Sequence, residues 1–336
     1  MPSVRRPAMS DVAALAGVSH QTVSRVLNDH PSVLPATRQR VLDAITELGY
    51  RRNLAARALV TRRSGTIGVL GSGSALFGPT STLIAIERAA RDAGLFVSVA
   101  TLSRWDAGDV VGVLDHFMTE GVDGVVVVAA HDDAVEAVRA FETSVPVVMV
   151  GPVDLPAPLL SVAVDQYQGG RQAVRHLLDL GHTHVTHVAG PLDWLDARRR
   201  LEGWRDELAA AGVEAGDPVP GDWSADRGYE VGQKLAAGDL PTAVFAANDQ
   251  LALGLLRAFA EAGLRVPDDV SVVGFDDVDG SANFYPPLTT VRQDFVALGT
   301  KCLEVLLSAI GGEETEASGL IGTRVVVRSS TGSPRG

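Results

Sequence analysis

Cysteine and lysine are nearly missing from this 336-residue chain. Cys302 is the single cysteine, so no intrachain disulfide framework can form, which suits a reducing compartment. Lys234 and Lys301 are the only lysines, and no G-x-x-x-x-G-K-[ST] cradle for nucleotide phosphates occurs. The G-x-S-x-G elbow and H-E-x-x-H are absent too. Residues 68–78, GVLGSGSALFG, approach a dinucleotide fingerprint. Leu76 takes the third glycine position, and the following run LFVSVA ends without the acidic residue that would hold a ribose. No segment approaches the roughly 18 apolar residues of a membrane span. Arg5-Arg6 is not followed by the apolar stretch of a signal peptide. The chain reads as a cytoplasmic protein with no membrane partner, and catalysis has no visible machinery.

What is present is a division of charge. Residues 1–63 carry ten arginines against four acidic residues, net +6, while the remaining 273 carry 19 basic against 37 acidic residues, net −18. A basic head suits a polyanion, and an acidic body is repelled by one. The length exceeds a single typical core, so a small head and a body of two lobes are expected.

In the head, DVAALAGVSHQTVSRVLN (11–28) reads as two helices meeting at a tight turn. Val12, Ala13, Leu15 and Ala16 form an apolar face, Gly17 permits the positive φ that ends a helix, and Ser19 is a natural N-cap. In the second helix Val23, Val26 and Leu27 face inward, leaving His20, Gln21, Ser24, Arg25 and Asn28 outward. A helix-turn-helix lays such a face in the DNA major groove, where Gln suits adenine and Arg suits guanine. An ordinary helical hairpin with a solvated face is the alternative. A third helix is expected over Pro35–Leu48, with Val41, Leu42, Ile45 and Leu48 apolar and Gly49 as its stop. Next, RRNLAARALVTRRSG (51–65) has Asn53 as a cap for a short helix ending near Leu59, set among five arginines. About two turns cannot hold themselves together in water, so this helix needs a binding partner; otherwise it is a solvated basic linker.

From Thr66 short β-rich runs alternate with helical stretches: TIGVLG, LFVSVA, GVVVVAA, VPVVMV, HVTHVAG, TAVFAAN, VSVVGFD and TRVVVR. Runs apolar on both faces and separated by helices indicate parallel sheets, and their number predicts two α/β lobes with a ligand cleft between them. GHTHVTH brings His182, His184 and His187 close, the first two on one strand face. Without Cys or a carboxylate at ligand spacing a strand entrance is the simpler reading, and no metal or cofactor is expected. Trp223, Arg200, Asn248-Asp249-Gln250 and Asp276-Asp277 follow strands or lie in loops. Carboxylates, amides and Arg satisfy hydroxyls, and an indole face covers the apolar side of a sugar ring. Each also has a plain structural reading, as a helix cap or as bulk.

Taken together these residues resemble the lac repressor/gal repressor family. DVA..AGVS..TVSRV.N stands in the head, with AGPL....AR.RL.GW, GDWSA, PTA...ANDQ.ALG and D.SVVG.DD........PPLTT..QDF in order in the body. The resemblance runs from about Ser10 to Arg328. It implies an α/β fold with a three-helix helix-turn-helix head (1–51), a hinge helix and linker (52–64), a two-lobed body like the type I periplasmic sugar-binding proteins (65–330) and a tail (331–336). Its implied function is a sequence-specific repressor of double-stranded operator DNA, released by a small sugar, with a galactoside-like glycoside expected. Response to a different sugar or a corepressor, or sugar binding without a DNA function, are the alternatives.

Position by position, the resemblance gives DNA contacts to Ser19, His20, Gln21, Thr22, Ser24, Arg25, Asn28, Asn53, Arg57 and Leu59, with Leu59 wedging into the minor groove. It gives the ligand to Ser72, Leu76 and Pro79 of the first lobe, to Arg200, Trp223, Asn248, Gln250 and Asp276 of the second, and to Gln293 and Phe295. Departures accompany it. His20 stands where the type member of the family has tyrosine. Val128 and Gly151 replace an asparagine and an aspartate, while Asp193 and Asp196 stand at serine positions and could compensate. The end, VVVRSSTGSPRG, lacks a leucine-rich tail helix, so a homodimer is expected and not a tetramer.

Overall fold

The computed structural model describes residues 7–51, 63–73, 75–103, 105–128, 131–151, 159–313 and 318–335. The chain divides into two units, Met1–Ser64 and Gly65–Gly336. Asn53, Arg57 and Leu59 lie outside the described residues.

In the first unit α1 (Met9–Ala16), α2 (His20–Leu27) and α3 (Pro35–Leu48) form a three-helix head. Gly17 ends α1 at φ 63°, and Ser19 Oγ accepts the Thr22 N–H to start α2. Pro35 opens α3 at a position whose N–H has no helical partner to lose. Val12, Ala13, Ala16, Val23, Val26, Val41, Ala44 and Tyr50 make its core. Two residues expected inward are not. Leu15 is 46 % and Leu42 43 % exposed. At about 100° per residue each sits roughly 100° round its helix from the middle of the buried arc, set by Val12, Ala13 and Ala16 in α1 and by Val41, Ala44 and Ile45 in α3.

In the second unit one lobe carries a sheet of six parallel strands in the order β11-β5-β4-β3-β1-β2. These are β1 (Thr66–Ser72), β2 (Phe96–Leu102), β3 (Val125–Val128), β4 (Val147–Val150), β5 (Leu160–Val164) and β11 (Ser318–Ile321). The other lobe has the order β12-β10-β9-β8-β6-β7: β6 (Val185–Ala189), β7 (Val219–Pro220), β8 (Ala243–Ala246), β9 (Ser271–Asp276), β10 (Thr289–Gln293) and β12 (Thr323–Val326). Only β12 runs antiparallel, against β10, so TRVVVR closes an otherwise parallel sheet from the opposite direction. Expected strands lacked β5, β7, β10 and β11, which are short or carry Thr, Ser, Arg and Gln. β2 is an edge strand, its Phe96 59 % and Val99 49 % exposed.

Helices cover both faces of both sheets. α4 (Phe77–Asp92) packs with α11 (Phe295–Gly311), and α5 (Ala107–Glu120) with α6 (Asp132–Ala140). In the second lobe α7 (Gln166–Asp179) packs with α8 (Leu195–Ala210), and α9 (Ala225–Ala237) with α10 (Asp249–Glu261). Each sheet is therefore sandwiched between two apolar clusters. The chain crosses between lobes at three short links, Val164 to Gln166, Gln293 to Phe295 and Ile321 to Thr323. All three leave the carboxyl ends of strands, where ligands of such folds bind.

The segment beyond Ser330 is tied to the second lobe. His182 Nε2 pairs with the Gly332 carbonyl at 2.8 Å, His176 Nε2 with Thr331 Oγ1 at 2.9 Å, and Arg335 with Asp268 and Asp269. The histidines of GHTHVTH do not converge. His182 precedes β6 instead of lying on it, and His187, inside β6, points its Nδ1 at the Phe245 carbonyl. Among the described residues no group of three His, Cys, Asp or Glu is placed to hold a metal ion, and no helix is long and apolar enough to cross a membrane.

Candidate functional site

The head offers one continuous polar surface. His20, Gln21, Arg25 and Asn28 are exposed on α2, with Ser24 and Thr22 half-buried beside them. Ser19 and Thr22 are partly spent on structure, since Ser19 Oγ lies 2.9 Å from Thr22 Oγ1 and caps the helix. Underneath, Val23 and Val26 anchor the helix in the core.

In the body a cavity of about 850 Å³, counting its open mouth, lies between the lobes. The first lobe contributes Ser72, Leu76, Pro79, Thr82 and Phe295, and the second Arg200, Trp223, Asn248, Asp276 and Gln293. Gln250, expected with them, is exposed and absent from the lining. Asn248 is the N-cap of α10 and faces the cavity. Two positions later the helix has turned Gln250 outward. Val128, Gly151 and Asp196 do meet in the cavity, whereas Asp193 is exposed elsewhere.

The polar end is a closed network. Arg200 Nε donates to Gln166 Oε1 at 2.9 Å, and its Nη1 donates to the Ala247 carbonyl. Gln166 Nε2 donates to Gln293 Oε1 at 2.8 Å, and Gln293 Nε2 donates to Asp276 Oδ1 at 2.6 Å. Arg200 Nη2 lies 3.6 Å from that same oxygen, which closes the ring. Its guanidinium rests 3.8 Å above the Phe275 ring and 5.5 Å from Trp223. An Arg held so tightly still has spare N–H donors, and Asp276 a spare oxygen, for a ligand. Gln166 was not expected here, because β5 was not recognised and the helix behind it had no visible start.

Asn248 proves to be a positioning residue as well as a lining one. Its Oδ1 accepts the Leu251 N–H and its Nδ2 donates to the Trp223 carbonyl at 3.0 Å. Trp223 has φ 73° and Asp276 φ 111°, conformations that side-chain-bearing residues rarely adopt and that cluster at functional sites. Trp223 Nε1 is buried and has no hydrogen-bond partner among the described residues. Its ring packs on Gly190, where a Cβ would lie 2.3 Å from the indole, so only glycine admits the ring.

Burial governs the electrostatics. Asp276 is pushed up to about 6, with Arg200 and the Gln293 hydrogen bond opposing the shift. Asp249, which accepts from Thr290 Oγ1 and the Val278 N–H and so holds the Asp276 loop, is pushed up to about 8 by burial and then by the Asp276 charge. Desolvation also raises Asp196, and Arg200 opposes it. The Arg200 guanidinium is lowered by burial, against the pull of Asp276, Asp196 and Asp249. Asp196 and Asp276 line the cavity beside Arg200 and offer carboxylate oxygens to hydroxyl donors.

Sequence reasoning also missed a row of rings. Trp105, His131 and Trp194 line the cavity beside Trp223. They come from separate loops that only the fold brings together, so no local pattern in the sequence marks them.

Comparison with known proteins follows the same two-part division. The family model for bacterial regulatory proteins of the lacI family matches residues 8–53, and that for a periplasmic binding protein-like domain matches 174–331. The lactose operon repressor of Escherichia coli (strain K12) is 38 % identical over 326 residues, covering 96 % of this chain and 90 % of its own. The HTH-type transcriptional regulator CelR of Thermobifida fusca is 38 % identical over 338 residues, covering 97 % and 98 %. Among solved structures, the lac repressor dimer bound to operator and the anti-inducer ONPF superposes with a TM-score of 0.87 at 35 % identity, covering 98 % of this chain and 100 % of that one. The CelR–cellobiose complex gives 0.71 at 34 %, covering 97 % and 100 %. These relatives are transcriptional regulators and not enzymes, and the similarity spans head and body alike: the chain belongs to the lacI family of bacterial regulatory proteins.

Proposed function

We propose that this chain is a homodimeric repressor that binds double-stranded operator DNA and is released by a small pyranose glycoside. The observation that carries the reading is the cavity between the lobes, where hydroxyl-binding groups (Arg200, Asp276 and Gln293) stand beside an indole. Trp223 covers the apolar face of the ring while the polar network takes its hydroxyls. The ligand is related to galactosides but selected differently at the end where Val128 and Gly151 stand. A buried hydroxyl left unpaired there costs roughly 1–3 kcal/mol.

On DNA, the outward face of α2 reads base edges from the major groove, Gln21 and Arg25 foremost. The hinge segment 52–64, with Asn53, Arg57 and the minor-groove wedge Leu59, completes the grip. Two heads are needed for paired half-sites, which makes the dimer the working unit. A sugar that touches both lobes favours one lobe orientation about the three links and so weakens the DNA-bound arrangement. Coupling of this kind is reciprocal, so operator DNA weakens sugar binding by the same factor.

The test is a screen of sugars for release of the full chain from its own upstream DNA. Release by a pyranose glycoside supports the reading. Tighter DNA binding on adding the ligand would make the ligand a corepressor, and operator binding indifferent to every sugar would contradict the proposal.

A further inference from the structure

The helix that carries Gln21 and Arg25 ends in a turn held by a residue of another helix. Asp29 N–H donates to the Val26 carbonyl at 3.1 Å, and His30 N–H donates to the Arg25 carbonyl at 2.9 Å. This paired closure needs a left-handed residue at its centre, usually glycine. Asp29 takes that place at φ 52°. Near the start of α3, Arg38 reaches back to the same turn. Its Nη1 donates to Asp29 Oδ1 at 2.7 Å and lies 3.5 Å from the Val26 carbonyl, and its Nη2 donates to the His30 carbonyl at 3.0 Å. One guanidinium thus gathers three acceptors at the C-terminal end of α2, where the helix dipole also favours a cation.

We infer that Arg38 is a positioning residue for base reading, one that fixes the tilt of α2 against α3 and thereby the register of Gln21 and Arg25 in the major groove. The inference rests on the operator-binding reading above and deepens it. The path from clamp to reader is short: Arg38 holds the His30 carbonyl, and the His30 N–H holds the carbonyl of Arg25. At the other end α2 is set by the Gly17 turn and the Ser19 cap, and underneath by Val23 and Val26. Apolar burial is non-directional, so it fixes the depth of a two-turn helix better than its tilt. Arg38 supplies the directional tie. Its side chain is only 28 % exposed and its charge is met by Asp29, so its donors are spent on the turn and not on DNA phosphate. Lysine could answer the carboxylate as a point charge but could not fork to the two carbonyls as well.

Fluorescence anisotropy on the full-length chain decides this, with one duplex carrying the operator from its own upstream DNA and one random duplex of equal length, each at several salt concentrations. Arg38→Lys and Arg38→Gln should each lower the operator-to-random affinity ratio roughly tenfold, within the range for one misplaced base contact. Arg38→Lys should leave random-DNA affinity within about threefold. Asp29→Gly keeps the left-handed turn and removes the carboxylate, so it should retain the melting temperature and still lose roughly threefold in the ratio. Combined with Arg38→Lys it should lose no more than Arg38→Lys alone, because the two side chains act as one unit. Amide hydrogen exchange in the Arg38 variants should quicken in a peptide spanning residues 24–31 and stay unchanged in α1. Full discrimination restored by lysine, with a salt slope flattened by about one in Arg38→Gln, would make Arg38 a phosphate contact and overturn the proposal. Faster exchange throughout the head, with operator and random DNA weakened equally, would make it a folding residue. Losses that multiply in the double variant would break its link to Asp29. If the parent chain itself prefers no operator, the DNA reading fails and this inference with it.

Discussion

Gly190→Ala puts the smallest possible perturbation against the side chain on which the sugar reading depends. The added methyl carbon would lie 2.3, 2.4 and 2.6 Å from Cη2, Cζ2 and Cζ3 of Trp223. Carbon atoms rest at about 3.5–4.0 Å, so the indole must retreat by about 1 Å. Retreat is opposed by the Asn248 Nδ2 hydrogen bond to the Trp223 carbonyl and by packing among Val188, Ala197 and Leu251. Overpacking of this kind costs about 1–3 kcal/mol. If the ring moves, the stacked sugar loses its platform, and affinity should fall roughly 10- to 100-fold, equivalent to about 1.4–2.8 kcal/mol. The assay pairs calorimetry with a thermal melt and an operator titration, with Gly216→Ala as the control, since nothing lies within 4 Å of a Cβ there. Operator affinity should be retained. Sugar affinity within twofold of the parent, together with an unchanged melting temperature, would refute the placement of Trp223.

Other consequences concern DNA and pH. Arg25→Ala should weaken operator binding by about 1–3 kcal/mol and relax base preference, measured as the ratio of operator to random DNA; equal losses on both would assign Arg25 to phosphate. Asp276 titrates at about 6 and a sugar hydroxyl donates best to the ionised form. Sugar affinity should therefore fall about tenfold between pH 7 and pH 5, and a flat profile would remove Asp276 from the contact. His187, fully buried, is lowered to about 3 by desolvation. Between pH 6.5 and 4 the unfolded chain takes up a proton that the native state refuses, so His187 stability is present above its unfolded value and lost on acidification, by up to about 1.4 kcal/mol per pH unit. The raised Asp249 and Asp276 act in the opposite sense, their contribution lost as pH rises, so the comparison is between the parent and His187→Phe. The variant should show a shallower acid limb in chemical denaturation, and parallel limbs would show that His187 is not the group responsible.

Local chemistry in the head could be read directly. Gly17, Ser19, Pro35 and Gly49 mark helix ends by conformation or capping, and the helices stop where they indicate. The inward faces were read a fraction of a turn too wide, since an apolar residue at the margin, Leu15 or Leu42, looks the same in sequence whether buried or not. In the body, strongly apolar strands were legible and strands such as LSVAV and TTVRQ were not, because burial there comes from neighbours instead of composition. Arg200, Trp223 and Asp276 were legible as chemistry. Their arrangement was not: Gln166 and Gln293 are 127 positions apart yet share a hydrogen bond, and Asn248 and Gln250 are two apart yet face different ways. Trp105, His131 and Trp194 illustrate the limit, since only the meeting of two lobes makes them neighbours.

The central claim is that one ligand site in the cleft controls the hold on DNA. Its most direct measurement is a reciprocal titration. Operator affinity is measured by fluorescence anisotropy with and without saturating sugar, and sugar affinity by calorimetry with and without saturating operator. The account predicts that both affinities fall, and by the same factor, typically about 5- to 150-fold for allosteric coupling. Sugar affinity unchanged on operator-bound protein, with operator affinity unchanged by sugar, would contradict it.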